Sequence, residues 1–483
     1  MAEIVVIGAG LGAMAGAARL ATSGHRVTVY ERRETYGGGV RRVTHAGFGF
    51  DTGPGLLHLP AVWRDLFVKT GKRPLESCVD LRQVDPGARH VFADGTGVTL
   101  PASSRAGTLR ALDAALGEGA GRRWAEVLVR ARTVWDATRR PLLEEPGTGG
   151  AHPADPYPAV RRRGLLRRRT PTLAETAADE LRDPRLAALL ESYALGHGLD
   201  PRTAPASAAV LAYLEQTFGA WYVAGGLRAL ADAVHRRCAE RGVRFVFGAD
   251  VARTLVDDGR VRGVELADGT RVAADAVVDG GCPHEAPGPG RARLTLLLAL
   301  RGARPADAAH RTVVHAPDRD AELAALFDGV GPAHAPTVTV LRPDDPAGVP
   351  DAEHEAVTVT AVVPPHPSPD WTDPAVTDAF ARRMLEAAAR AVPDLRERLL
   401  WQRAHTPVDA ARETGAPGGV VPAPALAGAA PGAPRPVPNP GPAAGGYALG
   451  GWAHPGGGLA HAGMSGALVA GLLTEGPGWR GSR

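Results

Sequence analysis

Residues 4–13 read IVVIGAGLGA, and this segment decides the fold. Its first four residues are apolar and mostly β-branched, which predicts a buried parallel strand, and the glycines predict a tight turn into a helix. Residues 26–30, RVTVY, supply a second strand and complete a βαβ unit of about thirty residues. Glu31 ends that strand, about twenty residues beyond the glycines. The combination predicts dinucleotide binding, since an ordinary glycine-rich loop does not explain the acid.

Each position in this turn has a physical task. Gly8 allows the tight turn, and Gly10 lets the backbone approach a pyrophosphate. The small residue at position 13 allows the helix to pack closely on the strand. The helix N-terminus, at Leu11 and Gly12, presents unpaired N–H groups and a positive dipole end to the phosphates. Glu31 can accept hydrogen bonds from a ribose diol, and its charge would repel a 2′-phosphate.

The composition of the chain excludes several classes of protein. With 483 residues, the chain has room for two or three domains. Its formal net charge of only +3 argues against a general nucleic-acid binder. Cys78, Cys238 and Cys282 show no paired spacing and no metal-site pattern, which indicates a reducing, cytoplasmic setting. The N-terminal segment lacks the basic leader and cleavage signal of a signal peptide. No apolar run is long enough to predict a membrane span.

A second glycine cluster follows Glu31 closely. It reads YGGG at 36–39, and GFGFDTGPG at 47–55 and LPAVWRDLF at 59–67 come after it. Two clusters so close together suit a long flavin dinucleotide lying across the domain. The stretch 4–67 resembles the bacterial phytoene desaturase family of FAD-dependent carotenoid oxidoreductases, which are related to flavin amine oxidases. Where that family has Arg or Lys after the paired glycines, this chain has Gly39, and the sequence leaves open whether Arg41 supplies the charge.

The resemblance implies an α/β fold. We expect a Rossmann-type, glutathione-reductase-like FAD-binding domain and a discontinuous α+β substrate domain, with FAD bound non-covalently. The FAD-binding domain would comprise residues 1–74, 215–288 and 445–483. The substrate domain would comprise residues 75–214 and 289–444, a helical insert plus a mixed sheet.

The segment 75–210 predicts mostly helix, because residues 108–116, 122–140 and 184–195 carry apolar residues at helical spacing. Within it, six arginines flank two leucines between Arg161 and Arg169. Such a cluster can dock on an anionic membrane surface, where each basic residue contributes roughly 1 kcal/mol, or it can form a solvated loop. The sequence leaves both alternatives open, and with them a peripheral location on the inner membrane face.

The most aromatic segment, EQTFGAWYVAGGL, begins at Glu215. In relatives this segment faces the substrate channel, so the resemblance implies channel roles for Phe218, Trp221 and Tyr222, with core packing as the alternative. For the same reason Glu215 and Tyr222 become candidate acid–base residues. Further along, Val251 matches the family position that holds the adenine through its backbone.

The last third of the chain predicts a sheet, an irregular segment and a flavin motif. Alternating patterns predict strands at 294–300, 338–341 and 357–363 and a helix at 376–391, whereas residues 416–446 are dominated by Pro, Gly and Ala. The stretch YALGGWAHPGGG at 447–458 and the helix predicted at 459–473 resemble the family's C-terminal flavin motif. Backbone N–H groups at that helix start can stabilise negative charge on the flavin pyrimidine ring. His454 either shapes the turn or acts as a catalytic base.

The predicted cofactor-binding set combines the turn with the resemblance. It comprises Gly8, Gly10, Leu11, Gly12, Ala13, Glu31, Arg32, Gly38, Gly39, Arg41, Gly53, Pro54, Val251, Gly451, Pro455, Gly457, Gly458 and Leu459.

The resemblance implies desaturation of an apolar polyene or isoprenoid by hydride transfer to flavin N5, with oxygen or a quinone as electron acceptor. A cation that develops beside a conjugated system is delocalised, so no strong base is needed. One alternative is dehydrogenation or isomerisation of a secondary-metabolite polyene or cyclohexadiene, bound or not to an acyl carrier protein. A flavin amine oxidase is disfavoured, because those enzymes place a substrate-domain lysine beside the flavin and no lysine follows Lys72. A non-catalytic flavoprotein is the last alternative.

Overall fold

In the computed structural model, the described residues are 1–149, 153–159, 170–282, 290–430, 433 and 435–481. The strands within these ranges are β1 (Glu3–Ile7), β2 (Arg26–Glu31), β3 (Arg42–His45), β4 (Phe48–Asp51), β5 (Leu57–His58), β6 (Leu81–Gln83), β7 (Ala88–Val91), β8 (Gly97–Leu100), β9 (Ala220–Val223), β10 (Arg244–Phe247), β11 (Val251–Asp257), β12 (Arg260–Leu266), β13 (Arg271–Ala273), β14 (Ala276–Asp279), β15 (Ala292–Arg301), β16 (Arg311–Val314), β17 (Val338–Leu341), β18 (His354–Val363), β19 (Leu399–His405) and β20 (Gly446–Ala448).

The α-helices of the same ranges are α1 (Leu11–Thr22), α2 (Ala61–Gly71), α3 (Arg105–Leu116), α4 (Ala120–Arg139), α5 (Leu173–Leu181), α6 (Pro184–Gly196), α7 (Val210–Phe218), α8 (Leu227–Glu240), α9 (Arg319–Phe327), α10 (Pro374–Ala388), α11 (Leu395–Arg398), α12 (Pro407–Thr414) and α13 (Leu459–Glu475). Short 3-10 turns and one π-helical turn, Arg140–Glu144, complete the regular structure of these ranges.

A five-stranded parallel sheet forms one half of the molecule, in the order β10-β2-β1-β14-β20. β1 lies at its centre, where Val5 pairs with Thr28 of β2 and with Val277 of β14. Helices α1, α8 and α13 cover one face, and the antiparallel sheet β11-β12-β13 covers the other through Val261 and Val264. Because both faces are buried, the central strand has to be apolar throughout. This is the Rossmann-type arrangement that residues 4–31 predict.

The strands of this sheet come from three separated parts of the chain. β1 and β2 lie before residue 74, β10 and β14 lie between 215 and 288, and β20 lies after 445. They therefore fall in the three segments that the sequence assigns to the FAD-binding domain, whose boundaries stay a prediction.

Helices α1 and α13 pack so closely that only small residues fit between them. An added Cβ at Gly12 would lie 2.7 Å from Ala462 O, and one at Gly466 would lie 2.6 Å from Gly12 O. The small residues at the start of α13 permit this close contact. The consequence is that both helices begin beside the glycine turn.

A seven-stranded mixed sheet, in the order β19-β15-β18-β17-β16-β7-β8, forms the other half. Alternate residues of its strands, such as Leu296, Val340 and Val357, pack against Phe380 and Met384 of α10. The residues between them face the opposite way, toward the parallel sheet. The strands predicted at 294–300, 338–341 and 357–363 are confirmed as β15, β17 and β18.

The mostly helical prediction for 75–210 is wrong for its first part. Residues 81–100 form β6, β7 and β8, and β7 joins the seven-stranded sheet by pairing Val91 with Val314. Alternation of buried and exposed residues along β7 and β8, as in exposed Arg89 and buried His90, is typical of a strand. The helices predicted at 108–116, 122–140 and 184–195 are confirmed as α3, α4 and α6, which share one core around Trp124.

The arginine cluster between Arg161 and Arg169 lies outside the described residues. Among the residues that are described, no helix combines the length and the apolarity that crossing a membrane would require. In the segment 416–446, the described residues form one 3-10 turn, Pro417–Gly419, and the first residue of β20, and are otherwise irregular, as their composition predicts.

Candidate functional site

A cavity of ≈ 1070 Å³ lies between the two large sheets. The carboxyl ends of β1, β2 and β14 form one wall, which is the position where parallel sheets bind their ligands. The facing wall is the side of the seven-stranded sheet that is turned away from α10. We call these the nucleotide wall and the sheet wall.

The glycine turn lies on the nucleotide wall. Gly10 is the N-cap of α1 and no side chain caps this helix, so its first N–H groups are available to a ligand. An added Cβ at Gly10 would meet no atom within 4 Å, because the turn borders open space. Glu31 lies on the same wall, where one carboxylate oxygen accepts from Ala9 N at 2.7 Å and the other from Arg33 N at 2.9 Å. These bonds fix the carboxylate beside the turn.

The second glycine cluster packs directly on the first. Gly37 N donates to Ala9 O at 2.8 Å, and an added Cβ at Gly38 would lie 3.0 Å from Gly10 Cα. Arg41 lies on the same wall, where its Nε donates to Gly38 O at 2.9 Å. The guanidinium of Arg41 therefore lies beside the paired glycines, after which the resemblance implies a basic residue. That Arg41 serves a cofactor stays a prediction.

The start of α13 adds a second uncapped helix N-terminus. Its N-cap is Gly458, without a side-chain cap, and Gly451, Gly458 and Leu459 all line the cavity. Pro455 and Gly457 do not lie on the wall, and an added Cβ at Gly457 would overlap the carbonyl oxygen of Pro422. Only part of the predicted C-terminal motif therefore reaches the cavity.

His454 is buried and lies off the cavity wall. Its Nε2 is 3.0 Å from Glu145 O, and its carbonyl oxygen accepts hydrogen bonds from Ser465 Oγ at 2.7 Å and Asn439 Nδ2 at 2.9 Å. These contacts are those of a residue that shapes the turn before α13.

On the sheet wall, Glu215 and Arg311 form a buried ion pair. Arg311 Nη1 donates to Glu215 Oε2 at 2.8 Å, and Arg311 Nη2 also contacts Glu215 Oε1. His58 Nε2 lies 3.9 Å from the same carboxylate. Burial would raise the pKa of Glu215, but the Arg311 guanidinium outweighs it and lowers that pKa. Glu215 is therefore an ionised, paired carboxylate and a weak proton acceptor.

The predicted channel residues separate in the structure. Tyr222 lies at the cavity, where its hydroxyl donates to Asp345 Oδ2 at 2.6 Å, and burial together with this carboxylate raises its pKa. Phe218 is 37% exposed and, like Trp221, is not part of the cavity wall. Trp221 Nε1 donates to Phe218 O at 2.9 Å, and its ring lies below the guanidinium of Arg64. The core-packing alternative describes Trp221 better than the channel role.

Most of the predicted cofactor-binding set comes together on the cavity wall. The members found there are Gly8, Gly10, Leu11, Gly12, Ala13, Glu31, Arg32, Gly38, Gly39, Arg41, Gly53, Pro54, Val251, Gly451, Gly458 and Leu459.

Sequence reasoning missed the polar residues of the sheet wall. The group comprises His90, His197, Arg293, Thr295, Arg311, Glu322, Thr337, Thr339, Thr358 and Thr360. The sequence does contain a signal for four of the threonines, the Thr-Val-Thr alternation at 337–339 and at 358–360. Such an alternation is typical of a strand with one polar face.

The nucleotide wall fits an extended flavin dinucleotide. It offers two helix N-termini for anionic groups, at α1 and at α13, and a fixed carboxylate at Glu31 for a ribose. The glycines leave the open space that a backbone-hugging pyrophosphate needs, as Gly10 shows.

Comparisons with known proteins agree with this geometry. A family model described as flavin containing amine oxidoreductase matches residues 14–279. A zeta-carotene-forming phytoene desaturase of Myxococcus xanthus is 34% identical over 277 residues, 57% of this chain and 52% of that protein. A hydroxyneurosporene desaturase of Cereibacter sphaeroides is 33% identical over 319 residues, 65% of this chain and 61% of that protein. The matches thus span between half and two thirds of the relatives' length, and they confirm the resemblance seen in residues 4–67.

Among solved structures, an oxidoreductase from Methanosarcina mazei has a TM-score of 0.65 at 16% identity, over 97% of this chain and 99% of that chain. At such low identity the likeness shows a shared fold. The α/β architecture predicted from the sequence is confirmed.

Proposed function

Because the chain belongs to the flavin containing amine oxidoreductase family, we propose that it is an FAD-dependent oxidoreductase that desaturates a conjugated polyene. The observation that supports this most is the continuous cavity, which joins a dinucleotide-type wall to a separate wall where a second molecule can lie. The curated relatives named above are carotenoid desaturases, which favours a polyene over other substrates of the family.

When bound, FAD supplies a hydride acceptor. In this chain, the fixed carboxylate of Glu31 would hold the adenosine ribose, and the α1 N-terminus would face the pyrophosphate. Gly458 and Leu459, at the α13 N-terminus, would hold the electron-accepting end of the ring system. Val251 would hold the adenine, and Arg41 would balance phosphate charge.

We propose that no strong base takes part in the reaction. The Tyr222 hydroxyl is occupied by Asp345, and its pKa is raised, so it stays protonated at neutral pH. The Glu215 carboxylate is neutralised by Arg311. Loss of a proton from a carbon beside a delocalised cation needs only a weak acceptor, so the arrangement suits polyene desaturation.

Amine oxidation is less well supported. Lys69 lies in α2 and Lys72 directly after it, and neither is on the cavity wall of the described residues. The chain therefore offers no lysine beside the cavity, which a flavin amine oxidase typically uses.

The proposal extends to the partners. Oxygen or a quinone would reoxidise the flavin. An acyl carrier protein would be needed only for a carrier-bound substrate, and the arginines at 161–169 would provide any membrane contact of an otherwise cytoplasmic protein.

The test is anaerobic mixing of FAD-loaded protein with phytoene in liposomes, with empty liposomes as the control. We expect bleaching of the oxidised flavin and the appearance of a longer polyene chromophore. Flavin that stays oxidised with phytoene and with shorter conjugated polyenes would contradict the proposed desaturation. Protein that binds no FAD would contradict the whole assignment of the nucleotide wall.

A further inference from the structure

The sheet wall is unexpectedly polar for a site that accepts a hydrocarbon. Thr295, Thr360 and Thr339 lie side by side across β15, β18 and β17, and the first two hydroxyls are 3.1 Å apart. Arg293 lies two residues before Thr295 on the same face of β15. The other face of these strands is apolar and packs on α10, so the polarity belongs specifically to the cavity.

The charges on this wall do not balance. The negative charge of Glu215 is taken by Arg311. Arg293 forms no ion pair with a carboxylate among the described residues, and burial lowers its pKa. His197 is held neutral, because burial and the nearby Arg293 lower its pKa to about 3. Glu322, the other acid on this wall, accepts hydrogen bonds from Thr337, and burial raises its pKa to about 7; it forms no ion pair with Arg293 among the described residues. The Arg293 guanidinium therefore has no carboxylate partner on this wall.

Arg293 is also incompletely hydrogen-bonded. Its Nη2 donates to Gly196 O at 2.7 Å, whereas its Nε and Nη1 donate to no acceptor in the part of the chain that the structure describes. The neighbouring wall is apolar: Val362 pairs with Arg293 across the sheet and packs with Leu195. An unpaired charge in such surroundings is costly unless a ligand supplies the opposite charge.

We propose that Arg293 binds the carboxylate of a conjugated polyene acid, so that the site prefers an anionic polyene over the corresponding hydrocarbon. This rests on the proposed function, which it narrows from polyenes in general to polyene acids. A guanidinium that keeps unused N–H donors at the cavity can bind a carboxylate through charge-assisted hydrogen bonds.

The surroundings favour a single negative charge over a phosphate. Among the other arginines of the cavity, Arg311 and Arg253 are paired with carboxylates, and Arg32 and Arg41 lie on the nucleotide wall. Arg42 donates instead to the carbonyl oxygens of Gly225 and Ala347. His58 near Glu215 is held neutral, because burial lowers its pKa. One cation without a carboxylate partner suits a monoanionic head group.

The experiment measures binding of all-trans-retinoic acid and of its methyl ester to the FAD-loaded protein, by titration of the flavin absorbance spectrum or by equilibrium dialysis. We expect the acid to bind roughly 10- to 100-fold more tightly than the ester, the range expected for a hydrogen bond to a charged group. R293Q should lose this preference by weakening the acid alone, and R293K should retain part of it. R382Q, an exposed arginine on α10, is the matched control and should bind like the wild type.

Three results would overturn the proposal. The first is equal binding of the acid and the ester to the wild type. The second is an R293Q variant that binds both ligands more weakly by the same factor. The third is an R293Q variant whose flavin spectrum changes without ligand while its affinity for the acid does not, which would assign the guanidinium to the flavin. The comparison of acid with ester in the wild type needs no variant, so a misfolded R293Q does not block the test. Because the chain of retinoic acid is already fully conjugated, its binding tests the carboxylate site alone, and flavin reduction in the phytoene experiment tests the desaturation, so the two proposals can fail separately.

Discussion

Replacing Arg311 by methionine tests whether its ion pair with Glu215 holds the sheet wall together. Arg311 connects β16 to α7, because its guanidinium contacts both carboxylate oxygens of Glu215, one of them at 2.8 Å. The two side chains are only 10% and 14% exposed. In R311M the carboxylate stays buried, with the neutral His58 ring 3.9 Å away.

The expected loss follows from the charge that is left behind. Removing one partner of a buried pair costs about 3–5 kcal/mol in the free energy of unfolding. In the wild type, burial raises the pKa of Glu215 and Arg311 lowers it further than burial raises it. The carboxylate therefore contributes stability above its unfolded pKa of about 4.3 and loses that contribution as the pH falls through the lower folded value. In R311M the folded pKa lies above the unfolded one, so ionised Glu215 destabilises the variant at neutral pH.

The assay is urea unfolding of FAD-saturated protein at about pH 7.5 and about pH 5.5, with R382M as the control. We expect R311M to be less stable by about 3–5 kcal/mol at the higher pH and by less at the lower pH, where Glu215 takes up a proton. The double variant E215Q/R311M should recover part of the loss. Equal losses in the single and double variants, or a loss that does not change with pH, would refute the argument.

Three further predictions concern other parts of the molecule. G466A should lower the free energy of unfolding by about 1–3 kcal/mol in urea unfolding, because the added Cβ would lie 2.6 Å from Gly12 O. The control is G478A, which should have no effect because a Cβ there meets no atom within 4 Å. E31Q should weaken FAD binding roughly 10- to 100-fold in flavin fluorescence titrations, because a charged acceptor on the nucleotide wall is lost; unchanged affinity would remove Glu31 from the site. Burial raises the pKa of Glu322 to about 7, so this acid is protonated in the folded state and its stabilising effect is lost as the pH rises from the unfolded value toward 7. In E322Q the free energy of unfolding should change by roughly 3 kcal/mol less than in the wild type over this pH range. Parallel curves of unfolding free energy against pH for the two proteins would contradict this prediction.

The polarity of the sheet wall is a feature that the family resemblance alone does not predict. The sequence predicts an apolar polyene by analogy with relatives, whereas Arg293, Thr295 and Thr360 supply a charge and hydroxyl groups at the wall.

Local sequence determined the nucleotide half of the protein. The order of strand, glycine turn, helix and acid between Glu3 and Glu31 depends on interactions between residues close in the chain, such as Ala9 N with the Glu31 carboxylate. Small residues such as Gly466 also indicate close packing of the last helix, but only the tertiary structure shows that its partner is α1.

Tertiary structure alone decided the chemistry of the sheet wall. The strand at 292–301 is evident from its pattern, but the pattern does not say what covers each face. Helix α10 buries the face of Leu294 and Leu296, and the nucleotide half closes over the face of Arg293 and Thr295. Likewise Glu215 and Arg311 meet across 96 residues of sequence. From the sequence alone a charged residue on a strand is expected to face solvent. In the fold, a second wall from a distant part of the chain places the half-buried Arg293 at the cavity.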